Sequence, residues 1–132
     1  MKYLAHTKEH VSDKVDENNC HPLQKHLMST AEYARERAAA FDAEDPAEII
    51  GLLHDVGKYS TEFQKRIRGE NIRAPHAMAG ASIVSKMYVG IGKYYGLVVA
   101  SHHTGLYDYG TNENTLLSSR SNLQEKLRQR IQ

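Results

Sequence analysis

One segment constrains the fold more than any other, and it reads AEIIGLLHDVGK at residues 47–58. A helix start signal precedes it, made of a capping aspartate, a proline in the first helical position and a glutamate in the third: Asp45, Pro46 and Glu48. The helix is apolar on nearly every side until His54 and Asp55, so we expect it to be buried at the centre of the fold. Gly57 then ends or bends it.

Residues 22–41 predict an amphipathic helix. Pro22 suits its first turn, and apolar residues recur along one face at three- and four-residue steps: Leu23, Leu27, Ala31, Ala34, Ala38 and Phe41. His26 lies beside this apolar stripe, so its ring should face the interior. Residues 1–20 are polar and show no sustained period, which indicates an extended, loosely ordered lead-in.

Capping signals mark further helices after residue 58. Ser60 can cap a short helix that Gly69 ends, and Pro75 opens another helix with His76 in its first turn. The run YYGLVVASHH fits a buried strand or a buried helix equally well. We predict a helix, because no other strand is evident with which it would pair.

The C-terminal part of the chain completes the predicted organisation. Residues 108–114 have the composition of a loop, and Ser121 with Gln124 can box the start of a last helix. There are no internal repeats, linkers or low-complexity tracts. We therefore expect residues 1–132 to form a single all-α domain, a compact helical bundle with a buried central helix.

Composition sets the broad class of the protein. The 132 residues suffice for one domain with its own core, and 17 basic against 16 acidic side chains leave no strong overall field towards nucleic acid or membranes. Any basic attraction must be local. The single Cys20 excludes an internal disulfide framework, and neither an apolar leader nor a membrane-length apolar run occurs, so we expect a cytoplasmic protein without membrane contact.

The side chains of His54 and Asp55 offer a neutral nitrogen ligand and an anionic oxygen ligand side by side. Neighbouring helix positions diverge by about 100°, so the pair suits adjacent ions better than one ion. A carboxylate can give one oxygen to each of two metals about 3.5–4 Å apart, as in two-metal phosphoester sites, and Asp55 suits that bridge. Imidazole favours Mn, Fe, Co, Ni or Zn over Mg or Ca. Four more histidines come from separate predicted elements: His26, His76, His102 and His103.

The remaining histidines and cations carry weaker signals. His6, His10 and His21 fall in the polar lead-in and are expected to be solvated. Lys58 follows Asp55 by three residues, so on a continuing helix it would project from the same side and meet a substrate phosphate; the alternative is a surface lysine. The basic cluster is either a solvated face or a nucleic-acid contact, and its members are Arg66, Arg68 and Arg73.

An ordered set of motifs runs through the chain: HPLQKHL at 21–27, LLHDVGK followed by FQ, then PHAMAGA, and finally HH followed by GL and an aspartate. In these motifs the chain resembles the HD superfamily of metal phosphohydrolases. Within that superfamily it looks most like the HD nuclease domain of the CRISPR-associated helicase-nuclease of type I systems. The resemblance covers about residues 3–110 and includes YLAHT near the start.

The resemblance implies a bundle of the HD type with catalytic Asp55 and a dinuclear site that activates water and cuts single-stranded DNA, as endonuclease and exonuclease, in antiviral CRISPR interference. Up to two Mn, Ni, Co or Fe ions would bind, one at His26, His54 and Asp55, the other at Asp55, His76, His102 and His103. The implied partners are single-stranded DNA, a helicase domain or subunit, and an RNA-guided targeting complex.

The sequence departs from the family pattern in one respect. Such domains supply a later aspartate to the first ion, and no aspartate follows Asp108. We expect the chain to lack the family's C-terminal part; otherwise Asp108 or a water fills the place, or the site is impaired. No Gly-rich phosphate loop for ATP occurs either. Two alternatives to the nuclease stay open: a phosphohydrolase of nucleotides or cyclic dinucleotides, and a catalytically impaired binding module. An open basic groove would favour a strand, and a closed pocket a nucleotide.

Overall fold

The computed structural model describes residues 2–7, 20–103 and 105. Asp108, the loop at 108–114 and the helix predicted from Ser121 lie outside these residues. The described part of the chain is mostly helical, which confirms the all-α fold class. Its elements are β1 Leu4–His6, β2 His21–Pro22, α1 Leu23–Ala38, α2 Glu44–Leu53, α3 Thr61–Ile67, α4 Ala77–Met87 and α5 Gly92–Ser101, with 3-10 turns at Ala39–Phe41 and Val56–Tyr59.

Helices α1 and α2 pack backbone to backbone. A Cβ on Gly51 would lie 2.6 Å from the Cα of Ala31, so the helices can approach this closely only with glycine there. Helix α2 also contacts α4 and α5, which gives it the predicted central position. Its side chains are half-buried rather than fully enclosed, with Gly51 its one buried residue and Leu52 exposed on the outer face.

Helices α4 and α5 pack against each other through buried apolar side chains. Their buried residues make one hydrophobic cluster: Ala81, Val84, Val99 and Ala100. Small residues bring the backbones together here too, because a Cβ on Gly80 would collide with the carbonyl oxygen of Leu53 in α2. The segment that fitted strand or helix equally well is a helix, as predicted.

Three of the predicted helix starts are shifted by a residue or two, and one is as predicted. Helix α2 is capped by Ala43, so Asp45 lies in its first turn and the prediction of Asp45 as the cap is wrong. Pro22 is the N-cap of α1 rather than part of its first turn. His76 likewise caps α4 instead of lying in its first turn. Ser60 caps α3 as predicted, its hydroxyl accepting from the amide of Phe63 at 3.3 Å.

The prediction of a loosely ordered lead-in is wrong for residues 4–6. Strand β1 pairs antiparallel with β2, and Leu4 and Ala5 are buried. The side-chain amide of Gln64 holds the strand: the amide of Leu4 donates to Oε1, and Nε2 donates to the carbonyl of Leu4, both at 3.0 Å. The N-terminal strand therefore belongs to the folded core. Among the described residues, every helix is too short or too polar to cross a bilayer.

Candidate metal centre

Asp55 lies between the end of α2 and the turn Val56–Tyr59, and it is buried, with only 3% of the residue exposed. Its two oxygens face different groups of side chains. Oδ2 faces α1 and the end of α2, whereas Oδ1 faces the start of α4 and the end of α5. Asp55 therefore presents one oxygen to each group of side chains, and its role as a bridge between two ions stays a prediction.

Two imidazoles and one ammonium surround Oδ2. Nε2 of His26 lies 3.1 Å from it and Nε2 of His54 3.2 Å, and the two nitrogens are 3.1 Å apart. Nζ of Lys58 donates to the same oxygen at 2.8 Å. Helix α1 delivers His26 beside its buried stripe, and His54 follows the last residue of α2.

Three imidazoles surround Oδ1. Nε2 of His76 and Nε2 of His102 each lie 3.3 Å from this oxygen, and Nε2 of His103 lies 4.0 Å away. Nε2 of His76 and Nε2 of His103 are 2.9 Å apart. The structure therefore brings together all six side chains that the sequence singled out as metal ligands.

Backbone carbonyls fix the orientation of two of these rings. Nδ1 of His54 donates to the carbonyl of Gly51 at 2.7 Å, and Nδ1 of His102 donates to that of Val99 at 2.6 Å. In a neutral ring this leaves the lone pair on Nε2, the atom that faces Asp55. Carbonyl partners of this kind are typical of metal-bound histidines, since they select the tautomer and aim the ring.

The electrostatics keep Asp55 ionised. Burial raises its pKa, but the contacts with His102, His54, His76 and Lys58 outweigh burial and hold the pKa far below its ordinary value. A buried anion among so many nitrogen atoms has the charge that a cation site needs. In the described part of the chain, Nδ1 of His76 is buried without a hydrogen-bond partner, so the polar contacts of this ring are made through Nε2.

The surroundings shift the pKa values of the clustered imidazoles in different directions. Burial is the largest influence on His26 and on His103 and lowers the pKa of both, which favours the neutral, ligating form. Burial also opposes protonation of His102, but the Asp55 carboxylate and the Val99 carbonyl outweigh it and raise the pKa of His102. The contact with Asp55 therefore makes His102 easier to protonate than an isolated imidazole, in contrast to His26 and His103.

The donor spacing fits transition-metal ions. Ligands 2.1 Å from one ion are about 3.0 Å apart at right angles and about 3.4 Å apart at tetrahedral angles. The separations around Oδ2 are 3.1–3.2 Å, and the shortest around Oδ1 are 2.9–3.3 Å. The donors of Asp55, His76, His102 and His103 all lie within 4.8 Å of one another. The nitrogen-rich set suits Mn, Fe, Co, Ni or Zn better than Mg or Ca.

The cations near the site have distinct positions. Lys58 is only 3% exposed, which rules out the surface lysine considered above; Nζ donates to the carbonyl of Ala5 at 3.2 Å as well as to Asp55. Arg68 is structural, since it donates to backbone carbonyls of Gln64 and Lys2. Arg66 lines the cavity beside the site, whereas Arg73 is exposed and does not line it.

Sequence reasoning did not place His6 at the site; its side chain is exposed, as expected, yet it lies beside the Asp55 cluster. Its ring centroid lies 4.8 Å from that of His26, and its donor atom lies within 4.8 Å of donors on His26 and Asp55. Burial, and then Lys58, lower the pKa of His6. His21 is farther away, with 5.8 Å between its ring and that of His26, and His10 lies outside the described residues. The available signal was the motif YLAHT, because a three-residue strand has no period to detect.

A cavity of about 400 Å³ opens beside the Asp55 cluster. His76 and His103 form one wall, Lys58 and Arg66 contribute cations, and the rest of the lining includes the ring of Phe63. Two of the clustered imidazoles are therefore open to a bound molecule. Both a site for charge and an apolar surface are present in the same cavity.

The family comparison agrees with this geometry. No curated protein matches the chain. The family model described as HD domain matches residues 23–129, well over half of the chain, and this range contains the six clustered ligands. The histidine and aspartate cluster is what the metal chemistry of that family requires. The chain belongs to the HD domain family, and we identify it as a metal-dependent phosphohydrolase of that superfamily.

Proposed function

We propose that the chain is a metal-dependent nuclease that hydrolyses phosphodiester bonds in single-stranded DNA during CRISPR interference. The observation that carries the nuclease proposal is the cavity, whose lining includes the imidazoles of His76 and His103 and the cations of Lys58 and Arg66. A strand lying there would meet the metal-ligand cluster with its scissile phosphate and a guanidinium with a neighbouring phosphate. The proposed role in CRISPR interference rests on the ordered set of motifs in the sequence. We also propose that the partners are a helicase and an RNA-guided targeting complex, and that the protein acts in the cytoplasm.

The two groups of donors around Asp55 support a site for two ions. His26, His54 and Asp55 would hold one ion, and Asp55 with His76, His102 and His103 would hold the other. When bound, such ions supply Lewis acidity towards water and a phosphoryl oxygen. Manganese, nickel, cobalt and iron are the expected metals, because imidazole dominates the donor set.

The side chains around the site would orient the metal ligands and offset charge on the substrate. Asp55 stays ionised and presents one oxygen to each side, and the carbonyls of Gly51 and Val99 hold the rings of His54 and His102 in the ligating tautomer. Lys58 carries a fixed positive charge on the cavity wall, where it would offset charge that builds on a phosphoryl oxygen. No side-chain nucleophile is required.

The central test compares the protein with its Asp55→Ala variant for manganese- or nickel-supported cleavage of single-stranded DNA. We expect wild-type cleavage and a loss of about 1000-fold or more in the variant, because both donor groups lose their shared anion. Linear and circular substrates separate exonuclease from endonuclease cutting. Equal cleavage by the two proteins would contradict the proposal and indicate a contaminating nuclease.

A second comparison tests the substrate. We expect Arg66→Ala to weaken binding of a single strand about tenfold, whereas Lys65→Ala, on the same helix but outside the cavity lining, should bind like the wild type. The cavity volume also suits one nucleotide, so a nucleotide phosphohydrolase is the second candidate. Faster turnover of a nucleotide or cyclic dinucleotide than of single-stranded DNA would favour that alternative.

A further inference from the structure

Strand β1 is held in place by buried polar side chains. Gln64 is fully buried, and its side chain makes three hydrogen bonds to backbone groups, two to Leu4 and one from Nε2 to the carbonyl of Lys58 at 2.8 Å. Lys58 in turn donates to the carbonyl of Ala5. A buried amide and a buried ammonium are stable only when they keep their hydrogen bonds. Because those partners are backbone groups of Leu4 and Ala5, these bonds fix the position of strand β1.

The residue that follows these fixed positions is His6. Its ring meets that of His26 edge to face, with an interplanar angle of 87°, and it lines the cavity. The strand pairing places His6 opposite His21, just before the helix that carries His26. The hydrogen bonds from Gln64 and Lys58 to Leu4 and Ala5 therefore determine where the His6 imidazole lies relative to the metal-ligand cluster.

The distances allow a shared ion. Donor atoms of His6, His26 and Asp55 all lie within 4.8 Å of one another. Two ligands that are 2.1 Å from one ion can be at most about 4.2 Å apart, so a closure of a few tenths of an ångström brings the outermost donors into range. Within the described part of the chain the side chain of His6 is exposed, so its ring can make a shift of this size.

The positive charge of Lys58 beside Oδ2 explains why a further metal ligand would be needed on this side of Asp55. The ammonium of Lys58 touches Oδ2, so an ion bound beside that oxygen meets a fixed positive charge. His26 and His54 are the two imidazoles already facing it. Lys58 lowers the affinity of this side for a metal ion by repulsion. A third, neutral imidazole would donate another lone pair to the ion and raise that affinity.

We infer that His6 is a protein ligand to the ion on the His26–His54 side, which completes a set of three imidazoles and one carboxylate there. This inference rests on the two-ion site proposed above. It makes strand β1 part of the metal centre, because Gln64 and Lys58 position a ligand through the backbone of residues 4–5.

The experiment is a Zn²⁺ titration of ¹⁵N-histidine-labelled protein followed by two-bond ¹H–¹⁵N spectra of the imidazoles. We expect one ring nitrogen of His6 to move to the position of a zinc-bound nitrogen as the ion on its side binds. The signal is assigned by its loss in His6→Ala. A His6 spectrum that stays that of a free ring while His26 and His54 become metal-bound overturns the inference.

Affinity gives a second, independent measurement. By isothermal titration with Mn²⁺, His6→Ala should weaken one of two binding events at least tenfold and leave the other unchanged. The matched control is His21→Ala, on the paired strand and outside the donor group, which should bind like the wild type. Equal affinities of His6→Ala and the wild type overturn the inference, with folding of each variant checked by circular dichroism.

The outcomes separate the inference from the proposed function. If His6 binds the metal but the protein cuts no single-stranded DNA, the function fails and the inference stands. If the protein cuts single-stranded DNA and His6 stays a free imidazole, the inference fails and the function stands. If no imidazole binds metal, both fail.

Discussion

Two buried regions in the described part of the chain are built on opposite principles. Between α4 and α5, small apolar residues pack around Ala81, Val84, Val99 and Ala100, and glycines let the backbones approach. Around Asp55, the buried groups are charged or polar, chiefly Asp55, Lys58 and Gln64. The apolar core is stabilised by burial that depends little on direction, whereas the polar core is stable only when each group meets its partner.

The difference shows that one region of the structure mainly provides stability and the other mainly provides the site. Apolar packing around α4 and α5 supports the helix ends from which His76 and His102 reach Asp55. The polar core contributes less to stability than its contacts suggest, because burial of charge opposes their gain. A metal ion bound at Asp55 would add stability to the polar core and none directly to the apolar one.

Lys58→Met should have the largest effect on stability and should distinguish the cores. Removing one partner of a buried ion pair costs about 3–5 kcal/mol, here by leaving the Asp55 carboxylate without its ammonium. Saturating Mn²⁺ should reduce the loss, because the ion supplies the missing charge. Urea unfolding with and without Mn²⁺ measures both values. Lys65→Met, at an exposed position of α3, is the control, and a Lys58 variant as stable as that control would contradict this expectation.

Gly80→Ala should be the most damaging small change in the apolar core. Its Cβ would collide with the carbonyl oxygen of Leu53, a backbone atom that cannot rotate away. We expect a loss of about 3 kcal/mol, at the upper end for overpacking, and no recovery with Mn²⁺ beyond that of the wild type. Thermal unfolding would reveal the loss. A variant of unchanged stability would mean that α2 and α4 pack less closely than described.

Gln64→Leu should have an intermediate effect. It leaves the backbone groups of Leu4 and the carbonyl of Lys58 without their side-chain partner, so we expect a loss of about 2 kcal/mol. Amide hydrogen exchange should accelerate at Leu4 more than in α5. If exchange at residues 4–6 is unchanged, Gln64 does not hold the strand.

Ser60→Ala should have the smallest effect of the four. Its hydroxyl accepts from the amide of Phe63 at the start of α3, and the loss of such a cap costs about 1 kcal/mol. Ser60→Asp keeps an acceptor at the cap and should recover most of the stability. Urea midpoints of the three proteins provide the measurement, and an alanine variant equal to wild type would show that the cap is dispensable.

The helices and the predicted ligands could be read from local signals. Periodic apolar residues gave α1 and α2, Ser60 marked α3, and the ligands lie at helix ends or beside an apolar stripe, where such signals are clearest. The cap at Asp45 was misread because its side chain pairs with Arg35 at 2.7 Å, as does that of Glu48. Local sequence does not reveal that competition.

Strand β1 and the position of His6 could not be predicted in the same way. The strand is held by Gln64, 60 residues away along the chain, and a three-residue strand is too short to show alternation. The burial of Lys58 was missed for the same reason, because its partner carbonyl at Ala5 is 53 residues away. Long-range polar contacts determine these features, and apolar periodicity carries no trace of them.

The most direct test of the central claim counts the ions held around Asp55. Manganese titrated into the protein and its Asp55→Asn variant is measured as bound metal per chain and by electron paramagnetic resonance, which detects coupling between two ions that share a carboxylate. The account predicts two coupled manganese ions in the wild type and loss of the coupled pair in the variant. A wild-type protein that binds no manganese, or a variant that keeps the coupled pair, would contradict it.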